Sequence, residues 1–425
     1  MIKKLFIIGL LLIGISCNGN STPIPPSPPV PIPPPPIVVP PSAPPTYVEK
    51  CGKLFIDGKF LRCSNNNDIF RWRGITWFRF LHQVANNEDT SYLTNLSDTG
   101  FNLIRVLSTA SLLFDLAPSD GLNNLDNALE IAEENGFYVE IVAVIDSGVR
   151  TYDWRNHARE VARICSEHVN CVYEFANEPG HGVQSNELHD LENLTQICHQ
   201  VTGGIDIILS CGSWGGDEPV CIPSIDDCQT EVLPHPIGDY LTTHLDRGRD
   251  KWNNVRRMRE LERMEAVGNK PVINDEPIGF DELDGSVTGR QRFNDCDIAL
   301  AFGVLSRIME VETTFHLQSG LLSQELGPIQ EQCSKDFILG TKLFDDNVVF
   351  SFKNTGWFDS PIDSADFIDN DDCCVVRVYS GISNNEGATV ALGINGDAAI
   401  LMKNGWSLDE LLINRNAIKV WRITR

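Results

Sequence analysis

The sequence predicts an α/β protein: a (β/α)8 TIM barrel followed by a small C-terminal all-β domain. Three observations carry this. Eight short apolar runs recur along the chain, amphipathic stretches separate them, and the texture changes to short β-like runs near residue 342. The eight runs are 70–78, 102–108, 138–146, 171–179, 205–214, 240–247, 271–277 and 311–319. They are nearly continuous in apolar residues, as strands buried on both faces should be. Between them, 122–135 sets Leu122, Leu125, Leu129, Ile131 and Ala132 on one helical face and stops at Gly136, a C-cap residue. Segments 155–168, 188–201, 252–267 and 293–309 have the same character. Gly100-Phe101 and Gly136-Phe137 each close a helix just before a strand. Alternation sustained over eight strands favours a closed parallel barrel over an open doubly wound sheet. No G-x-G-x-x-G follows the first run, which argues against a dinucleotide fold.

The flanks read differently. Lys3 and Lys4 precede the apolar run Leu5 to Ile13, and Gly14-Ile15-Ser16 leads into Cys17. This is the pattern of an export signal, too short for a stable membrane span. Its last four residues resemble a lipobox, which would lipidate Cys17 and anchor the chain to a membrane; plain signal cleavage is the alternative. Residues 18–46 form a proline-rich linker, with 14 of the chain's 24 prolines between Pro23 and Pro45. Polyproline II geometry would make that run a semi-rigid spacer of about 70 Å. The expected catalytic domain covers 47–341. Beyond it, 348–352, 374–379, 388–394, 398–402 and 417–422 are β-like runs separated by Asn-, Asp- and Gly-rich turns, read as a small antiparallel sandwich over 342–425.

A formal charge of −24 argues against nucleic acid and anionic lipid surfaces as partners, because phosphate binding needs Lys and Arg. Thirteen cysteines suit an oxidising compartment. Cys51 and Cys63, Cys165 and Cys171, Cys198 and Cys211, and Cys221 and Cys228 lie close enough in sequence to be candidate disulfides. Spacing alone does not fix connectivity. Zinc is the competing reading, but no CxxC occurs.

Chemistry concentrates at two strand ends. Glu178 closes Tyr173-Glu174-Phe175-Ala176-Asn177-Glu178-Pro179 on the fourth predicted strand, and Glu276 closes Pro271-Val272-Ile273-Asn274-Asp275-Glu276-Pro277 on the seventh. In a barrel, C-terminal strand ends ring the active site. The proline after each glutamate lacks an amide donor and ends the regular strand there. Strands four and seven lie across the barrel from each other, so the two carboxyl groups should face one another. Their repulsion would raise the pKa of the one acting as acid.

Here the chain resembles clan A glycoside hydrolases, typified by the cellulase-like family 5. Asn177-Glu178 matches that clan's Asn-Glu pair on strand four, and Glu276 matches its strand-seven glutamate. The resemblance covers about residues 50–340. It implies a retaining glycosidase with Glu178 as acid/base and Glu276 as nucleophile, acting on a poly- or oligosaccharide. Arg105 in Leu103-Ile104-Arg105-Val106 matches the arginine that fixes the nucleophile, and His244 matches the strand-six histidine. Two positions depart from the pattern. His244-Leu245-Asp246 lacks the tyrosine of His-x-Tyr, and Thr314-Phe315-His316 carries His316 where a sugar-stacking Trp is usual.

Each residue also has a structural reading. Asp275 is the alternative nucleophile, although strand alternation should turn it away from the face that Glu276 uses. Glu174 should point into the barrel or lie near its lower end. Arg105 could be a core ion pair, and His244 and His316 satisfied core histidines. His181 is a candidate cleft residue. Trp214, at the end of strand five, offers a flat face for a pyranose ring or for packing, and Trp77 and Phe78 share that ambiguity. No metal or organic cofactor is implied. The expected function is therefore an exported glycoside hydrolase. A surface carbohydrate-binding protein with a catalytically inactive barrel is the alternative, and hydrolysis and transglycosylation share the same residues.

Overall fold

A computed structural model describes residues 46–110, 113–215, 238–244, 269–276, 295–317, 321, 323–344, 346, 348–352, 375–382, 387–394, 405, 407–415 and 418–424. At 214–215, 295, 351–352, 375–382 and 387–394 only the backbone is described. The expected export signal with Cys17, the spacer up to residue 45, the helix at 252–267, the run at 398–402, and the Cys221 and Cys228 pair lie outside the described residues.

The chain enters through a short helix, α1 (Tyr47–Cys51), whose Thr46 and Glu49 form a reciprocal capping box. A hairpin that the sequence reading missed follows, β1 (Leu54–Asp57) and β2 (Phe60–Cys63), turning at Gly58 and tied to α1 by a Cys51–Cys63 disulfide. Its Leu54 and Leu61 pack with Phe70, Trp72, Leu103, Tyr138, Val172, Tyr240 and Ile273, residues at or just before the N-terminal ends of barrel strands. The hairpin plugs the bottom of the barrel, so its open end is the other one.

The barrel strands are β3 (Arg73–Thr76), β4 (Leu103–Leu107), β5 (Tyr138–Val144), β6 (Cys171–Ala176), β7 (Leu209–Ser210), β8 (Trp214–Gly215), β9 (Leu241–His244), β10 (Val272–Asn274) and β11 (Glu312–Phe315). They pair in parallel in the order β7-β6-β5-β4-β3-β11-β10-β9-β8. The two ends of that order belong to one stretch, 209–215: β7 pairs back with β6, and β8 pairs forward with β9. A bond between Ser210 Oγ and Thr242 Oγ1 at 2.8 Å also crosses the seam. Eight strand positions therefore make a nearly closed ring, as expected.

The strands are buried because helices cover them. Among these are α2 (Phe80–Ala85), α3 (Tyr92–Thr99), α4 (Pro118–Glu134), α5 (Trp154–Glu167), α6 (Leu191–Thr202), α7 (Asp295–Met309) and α8 (Pro328–Thr341). Sequence dictates their starts: Asp153 and Asp190 accept from backbone amides three residues on, and Pro118 and Pro328 occupy first turns where no amide is needed. Helix α4 buries Leu125, Ala128, Leu129 and Ala132, close to the predicted face. Gly100 and Gly136 have φ of 113° and 81°, the left-handed turns expected between helix and strand.

The C-terminal residues form one antiparallel sheet, ordered β12 (Val349–Phe352), β13 (Val375–Ile382), β14 (Gly387–Ile394), β16 (Ile418–Thr424), β15 (Ser407–Asn414). A sandwich needs two sheets, and the described residues make one. Strand β15 was not foreseen: only Leu412 and Ile413 of its second half reach the core, so it lacks a clean apolar alternation. Phe350, Ile413, Ile418 and Val420 join the core cluster of the barrel. A buried ionic group fastens the junction. Glu310 accepts from Arg71 Nη1 (2.5 Å), Arg307 Nη1 (3.1 Å) and the Phe350 amide (2.6 Å), while both arginines also donate to the Val348 carbonyl.

Four disulfides occur among the described residues. Cys51–Cys63, Cys165–Cys171 and Cys198–Cys211 follow the sequence neighbours; Cys296–Cys333 joins α7 to α8.

Candidate active site

Arg105, third residue of β4, sits wholly buried at the centre of the ring. Its Nη1 donates to Glu276 Oε1 at 2.5 Å, and its Nη2 to Asn177 Oδ1 at 2.9 Å. Nη2 and Nε both donate to Glu174 Oε2, at 2.8 and 3.1 Å. Asp275 Oδ2 and Glu140 Oε2 lie 3.1 and 3.5 Å from Nε. Burial opposes a charge on this guanidinium, but Asp275, Glu174, Glu276 and Glu140 outweigh it and push its pKa well above the usual value.

Glu178 stands two residues beyond the end of β6, in a turn with φ of 42°. That left-handed backbone is sparsely populated by residues other than glycine and costs of order 1–3 kcal/mol unless its surroundings enforce it. Two hydrogen bonds do so: the Glu178 amide donates to Ser213 Oγ at 3.2 Å, and its carbonyl accepts from the His181 amide at 2.8 Å. The segment between β7 and β8 passes close by. A Cβ on Gly212 would stand 2.8 Å from the Ala176 carbonyl and 3.2 Å from Pro179 Cγ, so glycine is required there.

His244 ends β9 between the two glutamates. Its Nδ1 is 3.0 Å from Glu178 Oε1; its Nε2 is 3.3 Å from Asp275 Oδ1 and 3.6 Å from Glu276 Oε1. Burial would neutralise it, yet the charges of Glu276 and Asp275, with bonds to Asp275 and Glu178, raise its pKa to about 10. His244 is thus an imidazolium at neutral pH. His316, just past β11, places Nε2 3.7 Å from Glu276 Oε2 and its ring 5.9 Å from that of Phe78. The Arg105 guanidinium lies 5.6 Å from the Phe78 ring centre.

One oxygen of Glu178, one of Glu276 and a nitrogen of His244 lie within 4.8 Å of one another. So do oxygens of Glu140, Glu174 and Asp275 in the layer below. Either trio has the spacing of a metal site.

The sequence-predicted residues Glu178, Glu276, Arg105, Asn177, His244 and His316 converge at one mouth. Trp214 contributes its backbone to β8 beside Thr243, and its side chain lies outside the described residues. His181 is exposed beside the Glu178 turn. Trp77 is core, donating through Nε1 to Gln83 Oε1 at 2.7 Å, whereas Phe78 reaches the site. Asp275 departs from expectation: it is fully buried against Arg105 and His244 rather than turned outward. Regular strand ends at Asn274, so alternation no longer governs residues 275 and 276 and both carboxylates turn inward. Glu140 and Ser213 were missed. For Glu140 a signal exists, a lone acid inside the apolar run Tyr138-Val139-Glu140-Ile141-Val142.

No protein-family model and no curated protein matches the chain. Solved structures do. A family 5 glycoside hydrolase from Bacteroides vulgatus aligns over 81% of this chain and 80% of its own, with 14% identity and a TM-score of 0.51. The fold is that of family 5 glycoside hydrolases. A second structure, known simply as a glycoside hydrolase, covers 82% of this chain and 84% of its own at 13% identity and a TM-score of 0.51. At such identities the likeness concerns the fold, and the chemistry must be argued from the site.

Proposed function

We infer that the protein is an exported retaining glycoside hydrolase of the family 5 type, acting on a poly- or oligosaccharide. The observation that carries this reading is the spacing of Glu178 and Glu276, whose nearer oxygens lie within 4.8 Å across the barrel mouth. Retaining enzymes hold their two carboxyl groups about 5–5.5 Å apart, whereas inverting enzymes need room for an intervening water. Glu276, held by Arg105, attacks the anomeric carbon as the glycosidic C–O bond breaks, and Glu178 gives its proton to the leaving oxygen. A water then enters; Glu178 takes its proton, and the resulting hydroxide displaces Glu276 from the sugar. In this reading Asn177 and His316 flank the bound ring, and Trp214 is assigned to stack on it. His244 spans the two glutamates and fixes their separation.

In the same reading residues 1–17 direct export, with Cys17 as lipid anchor, and 18–46 space the catalytic domain (47–341) from the membrane. Residues 342–425 brace the barrel. The four disulfides suit that compartment.

The test is an activated 2-fluoroglycoside series followed by peptide mapping, beside a glycan panel with Glu178→Gln as control. Label on Glu276 and hydrolysis lost in the variant are expected. Label on Asp275 would move the nucleophile. Glycan binding without turnover would make the barrel a binding protein.

A further inference from the structure

Beneath the two glutamates lies a carboxylate that the mechanism above does not use. We propose that Glu174 is a positioning residue: its Oε2 fixes the Arg105 guanidinium and thereby aims Arg105 at Glu276 and Asn177. The proposal rests on the glycosidase reading and deepens it.

The geometry is specific. Glu174 Oε2 takes one hydrogen from Nε and one from Nη2 of Arg105, at 3.1 and 2.8 Å, along one edge of the planar fork. What remains points upward: Nη1 reaches Glu276 Oε1 and the second Nη2 hydrogen reaches Asn177 Oδ1. A guanidinium is rigid, so fixing one edge fixes the direction of every other N–H. Without that edge contact the Arg105 side chain could rotate toward Asp275 or Glu140, both already within 3.5 Å of Nε.

The sequence arrangement gives the contact its consequence. Glu174 lies in β6, and Asn177 and Glu178 lie in the turn that follows it, so one strand and its turn supply the anchor of Arg105, a recipient of its aim and the acid/base. A slip in Arg105 would misplace Glu276 relative to Glu178, and misplacement of about 1 Å can cost roughly 100-fold in rate.

The anchoring does not depend on a full charge. Burial, working against Arg105, raises the Glu174 carboxyl to about 7. Its Oε2 accepts in either protonation state, and one Glu174 oxygen lies within 4.8 Å of an oxygen each of Glu140 and Asp275. Burial, with the charges of Glu174 and Asp275, pushes the Glu140 carboxyl well above the carboxylate range. Tyr240 donates to Glu140 Oε1 at 3.0 Å from below, and His244 faces Asp275 from the side.

This predicts opposite behaviour for two variants of similar size. Glu174→Met removes the acceptor; kcat should fall about 10–100-fold with KM within threefold, and 2-fluoroglycoside labelling of Glu276 should slow by the same factor. Glu174→Gln keeps a carbonyl oxygen and should recover to within about fivefold of wild type. If Glu174→Met does not fold, Glu174→Asp, which retracts the carboxyl by one methylene, takes its place with the same expectation. Wild-type kcat in the folded Met or Asp variant would overturn the proposal. So would a Gln variant as slow as Met, or a loss confined to KM. A wild-type protein that neither turns over glycans nor labels would instead sink the glycosidase reading, and this proposal with it.

Discussion

The ionic group that fastens the C-terminal sheet offers a test of the architecture independent of any substrate. Glu310 sits at φ 59° and is the common acceptor for Arg71, Arg307 and the Phe350 amide. The side chains of Arg71 and Arg307 are 4% and 2% exposed, and Glu310 is fully buried. Replacing it by Ala strands two buried cations and one buried amide. Breaking a buried pair by removing one partner costs about 3–5 kcal/mol. Some of that is recovered here, because both arginines still donate to the Val348 carbonyl and Arg71 Nη1 lies 3.7 Å from Glu312 Oε1. The expected loss is therefore at the low end, about 3 kcal/mol. Urea unfolding followed by tryptophan fluorescence gives the difference, and hydrogen exchange should show added opening first at Val348 to Phe350. A loss below about 1 kcal/mol would refute the reasoning, because it would mean the arginines reach water or other partners without cost.

Other outcomes follow from the site. Glu178→Gln should slow hydrolysis of an unactivated glycan by about 10²–10⁴, while a dinitrophenyl glycoside, whose leaving group needs no proton, still gives a burst of phenolate; absence of the burst would remove Glu178 from the acid role. Arg105→Lys forfeits the two bonds to Glu276 and Asn177, each worth about 1.5–3 kcal/mol when charged, so kcat/KM should drop on the order of 10²–10⁴; equal activity would show that Arg105 serves only the core. His244 is held protonated, with a folded pKa of about 10 against 6.5 for free imidazole. Its stabilisation is complete below 6.5 and disappears as pH rises through 10, so the melting temperature should fall more steeply across that window in wild type than in His244→Gln. Gly212→Ala forces a Cβ against the Ala176 carbonyl and should cost about 1–3 kcal/mol while lowering turnover, because the turn that carries Glu178 has to shift; circular dichroism melts and steady-state rates check both halves.

Much of this was legible because interior strands announce themselves. The runs containing Arg105 and Glu174 are apolar enough that a charged residue within them has no destination but the barrel axis. The strand-end glutamates were legible for the same reason, being followed by prolines that stop the strand. His244, in the polar run Thr242-Thr243-His244-Leu245-Asp246, was legible only through the resemblance to the clan A strand-six histidine. Asp275 was misread because alternation was carried one residue past the last ladder bond, at Asn274. The plugging hairpin escaped notice because β1 and β2 are only four residues each, and their burial comes from the barrel bottom rather than from a pattern of their own. Glu178's strained turn and its support by Ser213 depend on two segments 35 residues apart, a pairing no local pattern encodes.

The disulfides carry a consequence for how the chain matures. Cys51–Cys63, Cys165–Cys171 and Cys198–Cys211 span 12, 6 and 13 residues, and Cys296–Cys333 spans 37. If the chain is exported as proposed, each pair would be complete soon after its second cysteine emerges from the translocation pore, whereas β3 must wait for β11, some 240 residues later, before the ring closes. An oxidase acting once, in order of appearance, would leave these pairs correctly joined before the barrel exists, with no need for later reshuffling.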